Sequence, residues 1–325
     1  MDISDSFKTD IFKVNNKNFA AIALKVFNYQ YSTNEIYRSY CNYLIKSPQN
    51  VNYLDQIPFL PIEIFKHHTV KSGNWKETRK FLSSGTTGNE RSIHYVRNET
   101  FYERVCLEGF ERVYGPISNY LILGLLPSYQ EQGNSSLIHM VHYFTRLGRN
   151  GSGFFLHNSK DLYRVLTNDN TPKILFGVGY ALLDFIEKFK NPDTKNCIVI
   201  ETGGMKGRRK ELTKQELHSK LQSGFNVKSI HSEYGMTELF SQAYAAESGK
   251  FRAPPWMKVL TREINDPFCY IKKKTGGINV IDLANIDTCS FIETKDLGKT
   301  SDSSFFQVLG RFDHSDIRGC NLLIQ

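Results

Sequence analysis

The stretch that most constrains this chain is Phe81-Leu-Ser-Ser-Gly-Thr-Thr-Gly-Asn-Glu-Arg-Ser-Ile-His-Tyr-Val96. Apolar Phe81-Leu82 on one side and Ser92-Ile-His-Tyr-Val96 on the other predict two short strands, with the polar run between them as a hairpin tip. Ser83, Ser84, Gly85, Thr86, Thr87 and Gly88 supply glycines for a sharp turn and four hydroxyls that, with backbone N–H groups, converge on an anion. The pattern suits phosphate. No Gly-Lys-Ser/Thr ending follows, so the lysine contact of a Walker loop is missing and a kinase or ATPase reading is disfavoured. Taken alone, the same six residues also read as an ordinary polar turn.

Length and composition narrow the classes. A chain of 325 residues can bury a substantial core as one large domain or two modest ones. Forty-one Lys+Arg against 33 Asp+Glu leave a net charge of +8, but the basic residues are dispersed, so no nucleic-acid arm is expected. Cys41, Cys106, Cys197, Cys269, Cys289 and Cys320 form no Cys-x-x-Cys pair, which argues against a zinc site and a disulfide framework. There is no apolar signal core at the N-terminus and no apolar run of about 20 residues, so neither secretion nor a membrane span is expected. A reducing cytoplasm fits these features.

Residues 1 to about 50 read as helical, with a capping box at Ser32-Thr-Asn-Glu35, and Ile57-Pro-Phe-Leu-Pro61 reads as a connector to the phosphate loop. Beyond the loop, strand-like runs at 121–123, 154–156, 174–176, 198–200 and 227–230 alternate with helix candidates near 99–113, 135–147, 160–168, 180–190 and 210–222. This alternation implies an α/β fold with a largely parallel sheet covered by helices, whose ligands sit beyond the carboxyl ends of the strands. After about 250, Pro254-Pro255 interrupts the pattern and short strands with turns follow, the mark of a smaller β-rich unit. The expected organisation is an N-terminal helical region over 1–80, an α/β nucleotide-binding core over 81–250, a β-rich subdomain over 251–310 and a C-terminal tail over 311–325.

Two segments close strands where ligands are expected. Ile200-Glu-Thr-Gly203-Gly204 lets a flat ring or phosphate approach the backbone closely. Ile230-His231-Ser-Glu-Tyr234-Gly235-Met-Thr237-Glu238 offers an aromatic face for adenine, a hydroxyl for a phosphate oxygen and a hard oxygen ligand for Mg²⁺. His231 stands close enough in sequence to contact a bound acyl-adenylate, whereas His94, His139 and His142 read as packing or polar surface, and His67-His68 lack a third ligand in the sequence.

Ser83-Ser-Gly-Thr-Thr-Gly88 followed by Tyr234-Gly-Met-Thr-Glu238 and Gly310-Arg311-Phe-Asp313 resembles the phosphate loop, Tyr-Gly-x-Thr-Glu motif and Gly-Arg-x-Asp hinge of the acyl-adenylate-forming superfamily. Within it, Ile57-Pro-Phe-Leu-Pro61, Phe65-Lys66, Leu126-Pro-Ser and Arg318-Gly-Cys320-Asn-Leu-Leu323 look most like the LuxE type, the acyl-protein synthetases. Glu293-Thr-Lys-Asp296-Leu-Gly298 resembles the superfamily's Thr-Gly-Asp motif, whose Asp holds the ribose hydroxyls, with Lys295 in place of the Gly. Only twelve residues follow Asp313, so the C-terminal lid of the larger superfamily, with its adenylation Lys, is expected to be absent.

The resemblance implies the adenylate-forming fold, ATP and Mg²⁺ as cofactors, and activation of a carboxylic acid, in this family a fatty acid, as acyl-AMP. It implies transfer of the acyl group to Cys320 and then to an acceptor protein such as a reductase or acyl carrier. Thr237 and His231 are the expected catalytic companions of Cys320. Ser83 to Gly88, Gly203, Gly204, Tyr234, Gly235, Asp296 and Arg311 are the expected nucleotide contacts, and Glu238 the expected metal ligand. Two alternatives stay open: a small acyl- or aryl-CoA ligase with Cys320 structural, and a catalytically silent nucleotide- or acyl-binding protein.

If the loop and Glu238 hold Mg-ATP, Thr87→Ala and Glu238→Gln each lower ATP–pyrophosphate exchange by about tenfold or more, since one deletes a phosphate donor and the other weakens a metal ligand. Unchanged exchange rates in folded variants would refute the assignment.

Overall fold

The computed structural model describes residues 3–84, 90–168, 170–190, 192, 194, 196–203, 212–246, 249–301 and 305–311. Gly85, Thr86, Thr87, Gly88, Gly204 and the whole segment after Arg311, Cys320 included, lie outside the described residues.

The helices are α1 (Ile3–Asp10), α2 (Phe19–Thr33), α3 (Glu35–Tyr43), α4 (Ile64–His67), α5 (Glu99–Tyr114), α6 (Tyr129–Gln132), α7 (Ser136–Leu147), α8 (Ser159–Asn168), α9 (Gly179–Lys188) and α10 (Lys214–Phe225). The strands are β1 (Leu60–Pro61), β2 (Arg79–Leu82), β3 (Ile93–Val96), β4 (Leu121–Leu125), β5 (Gly153–Phe154), β6 (Lys173–Gly177), β7 (Cys197–Thr202), β8 (Ile230–Tyr234), β9 (Ala243–Ala245), β10 (Lys250–Arg252), β11 (Met257–Arg262), β12 (Tyr270–Ile271), β13 (Gly276–Asp282), β14 (Phe291–Thr300) and β15 (Phe305–Arg311).

Among the described residues, one 13-stranded sheet runs in the order β12-β11-β13-β14-β15-β10-β9-β8-β7-β6-β4-β5, with β1 laid parallel against β14. Its β5-β4-β6-β7-β8 portion is parallel throughout. Every residue of β4 and β6 is buried, as unbroken apolar runs covered on both faces require. From β8 onward the sheet turns antiparallel, and the β-rich stretch after residue 250 joins it edge to edge through β10 and β15. Separately, β2 and β3 pair antiparallel as the predicted hairpin, in the register Phe81↔His94. No described helix is long and apolar enough to cross a membrane.

Local chemistry explains where the sequence reading shifts. Ser32 does not cap α3, because it lies inside α2; Asn34 takes that place, accepting from the Tyr37 amide at 3.0 Å. Residues 227–229 are not strand, since α10 continues to Phe225 and Asn226 ends it in the left-handed conformation at φ 54°. Strand β8 therefore begins at Ile230 and carries His231 through Tyr234. The Pro-rich connector is also not free of pairing: Leu60 and Pro61 sit opposite Ile292 and Glu293.

The N-terminal helices grip the irregular chain between β13 and β14. Gln30, fully buried on α2, donates to the carbonyls of Asn285 (2.9 Å), Ile286 (3.1 Å) and Thr288 (3.3 Å), and its own carbonyl accepts from the Ser290 amide at 2.9 Å. Asn34 and Ser72 also donate to the Thr288 carbonyl. From α1, Ser4 and Lys8 each reach a separate oxygen of Asp287 at 2.6 Å.

Gln30→Leu leaves the Ser290 amide without its acceptor and thins the donors to three carbonyls in a dry interior. An expected loss of about 2–4 kcal/mol of stability follows, because each buried polar group left unpaired costs about 1–3 kcal/mol. Urea unfolding of the variant beside the wild type checks this.

Candidate functional site

The sequence pattern puts small and polar residues at the carboxyl ends of β7 and β8, and the fold brings three further segments against them. The β2–β3 hairpin closes beneath its tip: the Ser83 amide donates to the Ser92 carbonyl at 3.1 Å, and the Ser92 amide donates to the Ser83 hydroxyl at 2.9 Å. Ser83 is half-buried and Ser84 exposed, so the described base of the loop faces outward from a fixed root. Ser92, just before β3, and His94 within it then reach the turn after β8. The Ser92 hydroxyl bonds the Glu238 carboxyl, and His94 bonds the Thr237 carbonyl.

Glu238 is 5% exposed. Burial raises its carboxyl above the ordinary range, opposed by the Ser92 bond and by the positive charges of Arg311 and Lys66. A buried hard oxygen group short of compensating charge suits Mg²⁺, and Thr237, half-buried beside it, keeps a hydroxyl for a phosphate oxygen. The backbone of this turn is held from below. Asn285 donates to the Glu238 carbonyl (2.8 Å), and Asp282 accepts from the amides of Phe240 (3.0 Å) and Ser241 (2.8 Å) and from the Ser241 hydroxyl (2.6 Å).

Tyr234, Asp296 and Arg311 meet at one point. The Tyr234 hydroxyl donates to one oxygen of Asp296 at 2.8 Å, and the Arg311 guanidinium stands 3.3 Å from the other. The β14–β15 register sets this up by placing Asp296 opposite Arg311. Burial raises the Asp296 carboxyl, while the Tyr234 hydroxyl and Arg311 draw it back. With about four lone-pair sites, the carboxylate retains acceptor capacity for two ribose hydroxyls. The Tyr234 ring is 7% exposed and stands edge-on to Phe306 at 5.3 Å, so its hydroxyl is tied down and its ring backed by an aromatic neighbour.

His231 lies elsewhere. Its ring stacks on Tyr114 of α5 at 5.7 Å and its Nδ1 is 3.2 Å from the Tyr114 hydroxyl, on the strand face that alternates with Tyr234. Gly203 is exposed at the end of β7, with φ 67°, a conformation that glycine adopts without strain. At Gly235 a Cβ would lie 2.3 Å from a carboxylate oxygen of Glu233, so a larger residue there would displace the end of that side chain.

Three residues of the site were not singled out from sequence. Ser92 and His94 look like ordinary strand residues until the hairpin is docked on the 237–238 turn. Glu233 accepts from the Thr202 hydroxyl at 2.6 Å, joining the ends of β7 and β8. Burial pushes its carboxyl up to about 7, Glu201 adds to the rise, and the Thr202 bond and Lys214 oppose it. A carboxylate immediately before the Tyr-Gly turn was the available signal. A separate group, Glu99, Glu103 and His139, brings metal-ligating atoms within 4.8 Å of one another, but Arg79 clasps Glu99 through two contacts of 2.8 and 2.9 Å. His139 is buried there, in contrast to the surface position open to it from sequence.

The family model described as acyl-protein synthetase, LuxE, matches residues 4–121. A long-chain-fatty-acid–luciferin-component ligase of Aliivibrio fischeri is 24% identical over 306 residues, covering 84% of this chain and 77% of that protein. Among solved structures, an ATP-bound RpMatB-BxBclM chimera superposes with a TM-score of 0.55 at 14% identity, over 71% of this chain and 47% of the other. A 2-hydroxyisobutyryl-CoA ligase in the postadenylation state with 2-HIB-AMP gives a TM-score of 0.69 at 11% identity, over 92% of this chain and 68% of the other. The chain thus spans about half the length of the first of these structures and about two thirds of the second. At such identities the likeness is one of fold, and the fold is that of the adenylate-forming ligases.

The raised Glu233 carboxyl sets a pH dependence. Its folded value of about 7 exceeds that of an unfolded Glu, about 4.3, so its contribution is fully present below the unfolded value and is lost as pH rises through 7. Glu233→Gln keeps an acceptor for Thr202 and does not titrate. Relative to wild type, the variant's stability therefore rises between pH 5 and pH 8, read as urea midpoints; a difference independent of pH would contradict the burial argument.

Proposed function

We propose that this chain is an acyl-adenylate-forming enzyme of the LuxE type, one that activates a fatty acid with ATP and Mg²⁺, loads the acyl group onto Cys320 and passes it to an acceptor protein such as a reductase or acyl carrier. The observation that carries the reading is the convergence of the phosphate-loop hairpin, the Thr237–Glu238 turn and the Tyr234–Asp296–Arg311 group at the strand ends of an adenylate-forming fold. The name of the Aliivibrio fischeri relative supports a long-chain acid.

In the first step a substrate carboxylate oxygen attacks the α-phosphorus of ATP, the bond to pyrophosphate breaks, and acyl-AMP forms. Ser83 to Gly88 and the Thr237 hydroxyl direct donors at the phosphates, Gly203 and Gly204 admit the nucleotide close to the backbone, and Tyr234 and Asp296 orient adenine and ribose. Arg311 opposes the rise that burial imposes on the Asp296 carboxyl and holds it in place. Mg²⁺, when bound through Glu238, supplies neutralising charge for the polyphosphate. In the second step the Cys320 thiolate attacks the acyl carbon and AMP leaves with its phosphate oxygen, forming a thioester. Arg311 stands at the site and Cys320 follows nine residues later, within roughly 30 Å of extended chain.

A panel of carboxylic acids scored by ATP–pyrophosphate exchange tests the first step, with exchange expected for fatty acids. Wild-type protein given that acid, ATP and Mg²⁺ gains one acyl mass labile to neutral hydroxylamine, whereas Cys320→Ser retains exchange and loses the label. A label on another Cys, or none on an enzyme that adenylates, ends the Cys320 assignment.

A further inference from the structure

We propose that His94 is a positioning residue that sets the Thr237–Glu238 peptide for Mg-ATP, so that the strand leaving the phosphate loop and the metal-side turn move as one body. The proposal rests on the reading of that turn as the Mg-ATP side of the site. His94 is fully buried at the centre of β3. Its Nδ1 is 2.7 Å from the Thr237 carbonyl oxygen and its Nε2 is 2.9 Å from the Thr288 hydroxyl.

These partners fix the tautomer. A carbonyl only accepts, so Nδ1 carries the proton and donates, which leaves Nε2 to accept from the Thr288 hydroxyl. Burial pushes the imidazole down to about 4, so the ring stays neutral and this arrangement persists at neutral pH. Phe65 meets the ring edge-on at 5.9 Å and Phe240 packs at 5.0 Å, so the imidazole cannot swing to another partner.

The consequence follows from peptide geometry. The Thr237 carbonyl and the Glu238 amide belong to one planar unit, so a bond that fixes the carbonyl fixes the rotation of the whole plane. That plane directs the Thr237 side chain on one side and the Glu238 side chain on the other. Asn285 fixes the next plane through the Glu238 carbonyl, and Ser92, two residues before His94, holds the Glu238 carboxyl. Both ring nitrogens are bonded, one to the turn and one to the loop that Gln30, Asn34 and Ser72 immobilise, so the ring ties the two together.

Two near-isosteres separate the bonds. His94→Asn carries its amide where Nδ1 stands and keeps a donor to Thr237; His94→Gln carries its amide where Nε2 stands and keeps only the Thr288 side. Calorimetric titration of Mg-ATP requires no acid substrate and is read beside thermal melting and pyrophosphate exchange. His94→Gln is expected to weaken Mg-ATP binding about tenfold and to raise the ATP KM with the acid KM unchanged, while His94→Asn stays within about threefold of wild type, the tenfold step corresponding to about 1.4 kcal/mol. Thr288→Val, which leaves the Nδ1 bond, lowers the melting temperature and keeps Mg-ATP affinity. Equal losses in His94→Asn and His94→Gln, or lowered melting with unchanged Mg-ATP affinity in both, overturn the proposal, as does a Thr288→Val loss matching that of His94→Gln. A wild type that binds Mg-ATP but adenylates no acid refutes the proposed function and leaves His94 to be judged on the affinities; a wild type that does not bind Mg-ATP refutes both.

Discussion

The structure depends on a buried loop that lacks regular pairing. Every residue from Leu283 to Ser290 is buried, yet the segment lies between two strands and forms no ladder of its own. Backbone N–H and C=O groups in such a place must find partners or forfeit roughly the stability of a hydrogen bond apiece. The partners come from far away in sequence: Gln30 and Asn34 from the N-terminal helices, Ser72 from the connector, Ser4 and Lys8 from the first turns of the chain. Once pinned, the loop presents Asn285 and Thr288 upward, and these fix the Glu238 carbonyl and the His94 ring. The N-terminal helices thus support the candidate site from behind, through the loop they pin.

Electrostatics follow from the same burial. Glu233, Glu238, Asp282 and Asp296 all have their carboxyls raised, with desolvation as the leading cause in each. The compensation differs. Asp282 receives backbone and hydroxyl donors and does structural work at the root of the turn. Asp296 has a phenol and a guanidinium that is 74% exposed, a looser arrangement suited to exchanging partners. Glu238 has the Ser92 hydroxyl, its own backbone amide and the more distant attraction of Arg311 and Lys66.

Much of this was legible in the residues. The apolar runs of β4, β6 and β7 alternate with amphipathic helices, and their shortness beside those longer segments marks them as strands where periodicity alone does not. The hairpin flanking Ser83 to Gly88 was equally visible, being set by local chemistry. The end of α10 was misjudged because Asn226 in a left-handed cap resembles any other polar residue on paper. Ser92, His94 and Gln30 were illegible for a stronger reason: their partners lie 143 residues or more away for His94 and 255 or more for Gln30. No window along the sequence contains both ends of such a bond.

Those separations also bear on how the site is held. Loop closure carries an entropic cost that grows with the length of chain enclosed, so bonds such as Gln30 to Asn285 must be repaid by the many contacts that form around them. The same holds for His94 to Thr237 and Tyr234 to Asp296, the latter joining the last parallel strand to the antiparallel part of the sheet. A reactive acyl-adenylate is safe only where water is excluded and the acceptor is at hand. Because its supports come from segments far apart in the chain, the candidate site is complete only where the N-terminal helices, the β2–β3 hairpin and the segment between β13 and β14 have met.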